Sequence, residues 1–466
     1  MISPAQRAEL EAAVGAAALI ADERRQAYAA DELKVPHLPE LVVEPTAVEQ
    51  VQELLRWACR HHIPVTPRGA GTGLSGGALA VKGGVVLNMA RFDRIIEIDP
   101  VNRCAVVEPG VINQALQEAA AAHGLFYPPD PASWESCSLG GNVAEDAGGP
   151  RCLKYGVTRQ YVMRLEAVLP TGERVACGAR TRKGVVGYSM RDLLIGSEGT
   201  LAVITQMTLR LLPRPECVVT LLALLPDEAC AGRLAPAVNR AGLSPCALEF
   251  IDGRALDLVR GDLPATLPAD CRAVALLEAD GTAAEAAREA ARLGELCLEE
   301  GALDVWVAEG GEKRARLWEV RRRLSTTLRE RFAQKLSEDI AVPLDRLPEC
   351  LEGCRRIGAE RGLELLAYGH LGDGNLHVNV LSQKPGETER ARMWGAVEAV
   401  FRLAVALGGT ISAEHGVGCW KQPYIGLELC SLEQRLQMQI KRLFDPENIL
   451  NPGKIFAWPI TKENAS

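Results

Sequence analysis

The stretch PRGAGTGLSGGALAVKGGVVLNM, residues 67–89, settles the architecture because strand rather than helix comes after its glycines. Gly71, Gly73 and Gly76 spell G-x-G-x-x-G, the spacing of a dinucleotide-binding turn. That fingerprint works in a strand–turn–helix unit, where a helix N-terminus faces the pyrophosphate. Here residues 79–89 read as strand, turn, strand, so the helix and its dipole are missing. Five glycines remain within residues 69–77, directly after a strand expected at 63–66. Their backbone N–H groups can converge as an anion nest. Gly73, Gly76 and Gly77 allow close backbone approach or positive φ. Glycine density this high favours a phosphate cradle over a flexible surface loop.

A second glycine-rich stretch, SLGGNVAEDAGG, covers residues 138–149. Two such clusters in one half of a chain suggest a large ligand such as a dinucleotide. Around them the pattern predicts a helix over 5–20. Thr46 and Glu49 spell a T-x-x-E capping box that would start a helix running to His61. Strands are expected at 85–88, 95–98, 105–108, 165–169 and 201–211, with a helix at 111–123 and a PPDP turn at 128–131. Pro213 and Pro215 break the chain, and a domain boundary is placed there. Beyond it, strands at 218–225, 274–278, 305–308, 339–342, 365–368 and 377–381 alternate with helices at 283–300, 312–331 and 387–407. This reads as α+β or α/β. A last helix is expected at 432–444.

With 466 residues, two or three domains are expected. A net charge of -8 argues against a nucleic-acid binder. The 14 cysteines are scattered without a CxxC pair and read as reduced, small buried hydrophobes. No apolar run is long enough for a membrane span, and the N-terminal AAVGAAALIA lacks the basic start of a signal peptide.

Chemistry concentrates in HLGDGNLHVNV (370–380) and EHG (414–416), in a chain with only seven histidines. Gly372 and Gly374 bracket Asp373, which reads as a hairpin tip. Paired strands would set His370 and His377 opposite each other, with Asn379 on the same face as His377. Two histidines and Glu414 make a metal-ligand set that leaves coordination positions open. His415 would be the spare imidazole; an unperturbed imidazole titrates near ~6.5, which suits acid–base work. The bland reading is a pair of hydrogen-bonded surface histidines, and the clustering weighs against it.

PRGAGTGLSGG, SCSLGGNVAEDAGG, GSEGTLAVIT, YGHLGDGNLHVNV, SAEHGVG and NPGKIF together resemble the FAD-linked oxidoreductases acting on D-2-hydroxy acids. These are the glycolate oxidase FAD-linked subunit, D-lactate dehydrogenase and D-2-hydroxyglutarate dehydrogenase, of the vanillyl-alcohol oxidase type. The likeness runs in order over residues 40–456. It implies an α+β protein: a two-part FAD-binding domain plus an α+β substrate cap. The division is 1–215 for FAD binding, with an N-terminal helical segment, 216–425 for the cap, and 426–466 returning to the FAD domain.

By the resemblance, Arg68, Gly69, Gly71, Thr72, Gly73, Leu74, Ser75, Gly76 and Gly77 cradle the FAD pyrophosphate. Asp130, Ser136, Gly140, Gly141, Asn142, Gly148, Glu198, Gly199, Ile204 and Asn451 line the cofactor. His370, His377 and Glu414 hold a divalent metal, Zn or Mn. His415 is the base, and Asn379 contacts substrate or the metal shell. Arg321 and Ser325 of WEVRRRLS, with Lys335, bind the substrate carboxylate. Arg322 and Arg323 leave that choice of arginine open, and by residue pattern alone the cluster reads as a solvated basic helix face. The loop at 69–77 has no histidine, so FAD is expected to be non-covalent.

The implied reaction oxidises a 2-hydroxy acid to a 2-keto acid with hydride transfer to flavin N5. The acceptor stays open among a quinone, a cytochrome, an electron-transfer flavoprotein and partner subunits, and the assembly between homodimer and hetero-oligomer. The place expected is the cytoplasm, or the membrane periphery through the acceptor. Other readings are a flavin subunit of a larger glycolate oxidase complex, a metal-dependent hydrolase of a phosphorylated substrate, and a non-enzymatic nucleotide-binding module. A bound flavin spectrum separates the first from the last two.

Overall fold

VVLN at 85–88 is apolar on both sides of the chain, as a strand covered on both faces must be. In the computed structural model, which describes residues 1–32, 34–263, 266–308 and 310–457, it is the centre of a small parallel sheet. The strands are β1 (Leu41–Val43), β2 (Val65–Arg68) and β3 (Val85–Asn88), in the order β1-β3-β2. The crossover helix Val48–His61 buries Val51, Leu54, Leu55, Trp57 and Ala58, an i, i+3, i+4 stripe.

That helix starts differently from the T-x-x-E reading. Its N-cap is Ala47, and Gln50 accepts from the backbone N–H of Thr46 (2.7 Å) and of Ala47 (3.2 Å). A register one residue later makes Gln50, not Glu49, the N3 residue. The first helix is also shorter than 5–20. It spans Pro4–Val14 and stops at Gly15, whose φ of 84° leaves the helical region.

A second, antiparallel sheet holds β4 (Ile95–Asp99), β5 (Cys104–Val107), β6 (Val162–Val168), β7 (Arg174–Gly178) and β8 (Val203–Arg210), in the order β4-β5-β8-β6-β7. The C-terminal segment closes this unit. Val65 N donates to Ile449 O and Asn451 N to Val65 O, both at 2.7 Å, so the tail pairs beside β2. Asp445 holds the tail's turn: it is fully buried and accepts from Ile449 N (3.1 Å), Leu450 N (2.8 Å) and Lys441 Nζ (2.5 Å).

The other compact unit is built on one seven-stranded antiparallel sheet. Its strands are β9 (Cys217–Leu225), β10 (Ala247–Ile251), β11 (Ala273–Gly281), β12 (Asp304–Val307), β13 (Gln334–Ala341), β14 (Glu364–His370) and β15 (Asn375–Ser382). Their order is β12-β9-β11-β10-β14-β15-β13. Helix Gly311–Arg331 packs Leu317, Val320, Leu324 and Leu328 with Leu222, Leu276, Ile251, Leu366 and Tyr368 in one core.

The units are residues 1–148, 157–214 and 414–466 on one side, and 149–156 with 215–413 on the other. The chain therefore re-enters the first unit at Glu414, ahead of the return at 426 read from sequence. Strand β10 and the helices Glu228–Arg240 and Leu347–Arg361 were not anticipated. Pro236 inside the first of these helices masks its pattern. Strand β13 begins at Gln334 rather than 339, because charged side chains alternate with buried Leu336 and Ile340. Among the described residues no helix is long and apolar enough to cross a membrane.

Replacing Asp445 by Ala would leave Lys441 buried without its carboxylate and two backbone N–H groups without an acceptor. Denaturant unfolding is expected to show a loss of about 3 kcal/mol. An unchanged midpoint would mean that the tail is not held by this residue.

Candidate active site

In the first unit the glycine loop leaves β2 and runs to β3 with no helix between them. Its glycines chiefly let the loop pack on its own protein. A Cβ on Gly69 would lie 2.2 Å from Ser138 Oγ, and one on Gly76 (φ 81°) would lie 2.5 Å from Cys419 Sγ. Gly73 differs, with open space where its side chain would be. Thr72 and Leu74 flank it half-buried, and Ser75 is buried with no partner for its hydroxyl. Arg68 packs against the loop, with its Nη2 2.1 Å from where a Cβ on Gly71 would be. Its guanidinium donates to Ala30 O (2.8 Å) and Ala78 O (3.4 Å), which makes it a brace for the loop. Burial pushes its pKa down.

The second glycine stretch forms a short helix, Leu139–Glu145, whose N-cap Ser138 accepts from Gly141 N at 3.3 Å. Gly140 is required by protein packing, since a Cβ there would meet Pro109 at 2.4 Å. Asn142 is buried in this helix, and Gly148 is the last residue before the chain leaves the unit. Ser136 is exposed and bonded to Ser133 O at 3.2 Å, so its hydroxyl is used locally. Asp130 sits half-buried in the Pro-rich turn, and Ile204 is buried on β8.

Glu198 and Asn451 tie the unit together. Both adopt positive φ, 51° and 44°, and Gly199 follows at 65°. The Glu198 carboxylate accepts from Val417 N and Gly418 N at 2.7 Å each. Burial pushes its pKa up, against the lowering effect of those two N–H groups. Asn451 Nδ2 donates to Gly77 O (2.9 Å) and Glu198 O (2.7 Å), while its buried Oδ1 has no partner. Buried polar atoms in proteins are nearly always satisfied. Ser75 Oγ and Asn451 Oδ1, without a partner among the described residues, therefore fit a polar ligand such as a dinucleotide.

In the second unit, β14 and β15 form the histidine hairpin. Its tip is a 3-10 turn, Leu371–Asp373, followed by Gly374 at φ 72°. This tip places Asn375 opposite His370, and Tyr368 opposite His377. The two histidines are thus diagonal neighbours, not a directly opposed pair. They share a face, with ring centroids 5.2 Å apart and planes at 84°. Asn379 lies on the same face, fully buried; its Nδ2 donates to His377 O at 3.0 Å and its Oδ1 has no partner.

Helix Gly311–Arg331 delivers the cation. Arg321 is buried, whereas Arg322 and Arg323 are exposed. Its Nε is 2.7 Å from Glu249 Oε2, and its Cζ stacks 4.8 Å from the Tyr368 ring centre. Glu249, on β10, also meets His370 Nδ1 at 2.5 Å. One turn after Arg321, Ser325 receives a hydrogen bond from Lys335 Nζ at 2.7 Å. Burial, reinforced by Arg329, lowers the Lys335 pKa to about 7. The sequence reading missed Glu249 and Tyr368. A lone carboxylate in the apolar run ALEFI (247–251) was the available signal.

Glu414 directly follows Ala413, whose N–H donates to Asp339 Oδ2 at 2.8 Å; Asp339 is the strand partner of His377. His370, His377 and Glu414 each offer one ligand atom, and these atoms lie within 4.8 Å of one another. Two imidazole nitrogens and a carboxylate at this spacing fit a divalent metal. His415 Nε2 is 3.8 Å from Glu414 Oε1.

Comparison with known proteins agrees with both halves. The model of the FAD linked oxidases, C-terminal domain, matches residues 214–455, and an FAD binding domain matches 39–178. The chain belongs to the FAD-linked oxidase family. It is an FAD-dependent oxidoreductase. Among curated relatives, glycolate oxidase subunit GlcD of Bacillus subtilis is 37% identical, over 90% of this chain and 89% of its own. D-lactate dehydrogenase of Archaeoglobus fulgidus is 39% identical, over 92% and 95%. D-2-hydroxyglutarate dehydrogenase of Stutzerimonas stutzeri is 35% identical, over 98% and 100%. The solved structure of p-cresol methylhydroxylase superposes with a TM-score of 0.82 over 97% of both chains at 18% identity. That likeness concerns the fold alone, which is of the vanillyl-alcohol oxidase type.

The depressed Lys335 pKa has a sign that can be checked. Between about 7 and the unfolded lysine value near ~10.4 the unfolded chain binds more protons, so this residue makes stability rise with pH. The difference in unfolding free energy between wild type and Lys335→Met should grow in favour of wild type from pH 7 to pH 10. A difference that stays flat contradicts the assignment.

Proposed function

We propose that the chain oxidises a small D-2-hydroxy acid to the 2-keto acid, transferring a hydride to FAD. The observation that carries this reading is one sheet face that presents Lys335, the His370–His377 pair and Asn379, with Arg321 added from helix Gly311–Arg331. A 2-hydroxy acid needs that combination: a cation for its carboxylate and a polar group beside its hydroxyl. Glycolate, D-lactate and D-2-hydroxyglutarate, the substrates in the relatives' names, all carry this unit.

Arg321 would fix the carboxylate through its guanidinium, a charge-assisted and directional bond. Lys335, held on Ser325, adds a second cation that takes up its proton when an anion arrives. Asn379 offers its unsatisfied Oδ1 to the hydroxyl or to the metal shell. His415 would accept the hydroxyl proton as general base. When bound, FAD supplies the hydride acceptor. A divalent metal, Zn or Mn, held by His370, His377 and Glu414 would supply Lewis acidity toward the hydroxyl. Ser75, Asn142, Glu198 and Asn451, with the open side of Gly73, are the residues proposed to line the FAD; no histidine is present in the loop, so attachment is non-covalent.

A second reading keeps the chemistry and changes the acceptor. The chain would be the flavin subunit of a multi-subunit glycolate oxidase, passing electrons to partner proteins. The word "subunit" in the names of relatives favours it.

His415→Ala is expected to retain its flavin spectrum while the substrate-driven reduction of flavin slows by about a hundredfold or more. Stopped-flow absorbance under anaerobic conditions reads this directly. Removal of metal by chelation, verified by elemental analysis, should abolish reduction and leave flavin content unchanged. Wild-type reduction rates in the variant would remove His415 from the base role, and full activity after verified removal would remove the metal.

A further inference from the structure

Glu249 stands at the centre of the seven-stranded sheet, on β10, with Leu276 of β11 on one side and His370 of β14 on the other. It is 1% exposed. A carboxylate taken out of water this fully costs several kcal/mol unless it is paired. Its two oxygens meet two different groups. Oε1 lies 2.5 Å from His370 Nδ1, and Oε2 lies 2.7 Å from Arg321 Nε.

An ionised carboxylate only accepts, so the hydrogen of the His370 ring resides on Nδ1. Nε2 is then the ring atom that His370 offers to the set it forms with His377 and Glu414. The same carboxylate is paired by charge with Arg321 Nε at 2.7 Å, although the N–H is not aligned for a hydrogen bond. The Tyr368 ring, 4.8 Å from Arg321 Cζ, supports that plane from its face.

We infer that Glu249 is the positioning residue of the substrate site: one carboxylate sets the tautomer of His370 and the orientation of Arg321, and so couples the metal-binding imidazole to the carboxylate-binding guanidinium. This rests on the roles of His370 and Arg321 proposed above. Carboxylates that hold a metal-binding histidine from behind typically contribute ten- to a hundredfold to metal affinity.

The neighbouring strand supplies an internal control. Glu278 on β11 is equally buried and also pairs with an arginine of the same helix, Arg314, at 2.6 and 2.9 Å. Its other partners are Thr220 Oγ1 and Trp318 Nε1, both at 2.7 Å. The two sites share burial, charge and helix, but among the contacts recorded for Glu278 there is no histidine.

The test compares Glu249→Gln with Glu278→Gln in the FAD-loaded protein. Zn(II) is titrated into metal-stripped protein against a chromophoric chelator, and the His370 tautomer is read from nitrogen-15 shifts of labelled histidine, assigned by His370→Gln. Glu249→Gln should weaken Zn(II) binding ten- to a hundredfold and shift the His370 tautomer toward Nε2–H. It should also raise the KM for substrate with flavin content unchanged. Glu278→Gln should lower the melting temperature and do none of these. If Glu249→Gln only lowers the melting temperature, with metal affinity and tautomer as in wild type, the carboxylate is structural and the inference fails. Should Glu249→Gln not fold, the wild-type spectrum still decides: a His370 ring protonated on Nε2 overturns the inference. A wild type that binds neither Zn(II) nor Mn(II) removes the metal reading, and the tautomer and KM measurements then judge Glu249 separately.

Discussion

A carboxylate with 1% exposure, Glu249, is tolerated in the middle of an antiparallel sheet because two cationic or hydrogen-donating groups meet it there. That constraint organises the substrate-side unit. Helix Gly311–Arg331 must lie across this face, since Arg321 has to reach Glu249 and Arg314 has to reach Glu278. The apolar residues of the helix, Leu317, Val320 and Leu324, fill the remaining face. The hairpin bearing His370 and His377 is fixed on the other side of Glu249 by its pairing with β10. The polar groups are thus oriented by the packing that buries them.

The cofactor-side unit obeys a similar logic with backbone in place of charge. Its glycine loop is not simply an open nest. Most of its glycines press against Ser138, Arg68, Cys419 or Glu145, and the exposed opening is at Gly73. The loop is then clamped from the far end of the chain by Asn451, which donates to Gly77 O and Glu198 O. A segment near residue 450 thus closes a loop that begins at residue 68, and Asp445 keeps that segment in register with β2.

Much of this was legible beforehand because it is local. The strand after the 67–78 loop, the hairpin glycines at 372 and 374, and the helix 283–299 are set by turn chemistry and periodicity over a few residues. The resemblance of six ordered motifs pointed to the family. What escaped reading depends on long-range partners. Arg68 donates to Ala30 O, 38 residues away, a contact that no local pattern announces. Ser136 donates to Ser133 O within its own turn. The direct face-to-face pairing of the histidines failed because the 3-10 tip shifts the register to His370–Asn375. Glu249 was invisible because its two partners lie 121 and 72 residues later in the chain, and no local pattern marks a buried carboxylate as functional. Burial sets Arg321 apart from the exposed Arg322 and Arg323, a difference that spacing alone does not reveal.

Everything proposed for the site converges on one event: a 2-hydroxy acid delivers its hydride to the FAD of this protein. Mixing the purified flavoprotein, without oxygen, with glycolate and with the D- and L-forms of lactate and 2-hydroxyglutarate, while following the flavin absorbance, tests that event itself. Rapid bleaching by glycolate or by a D-acid is expected, and none by the matching L-acid. Oxidised flavin that survives every one of these acids would contradict the proposed function.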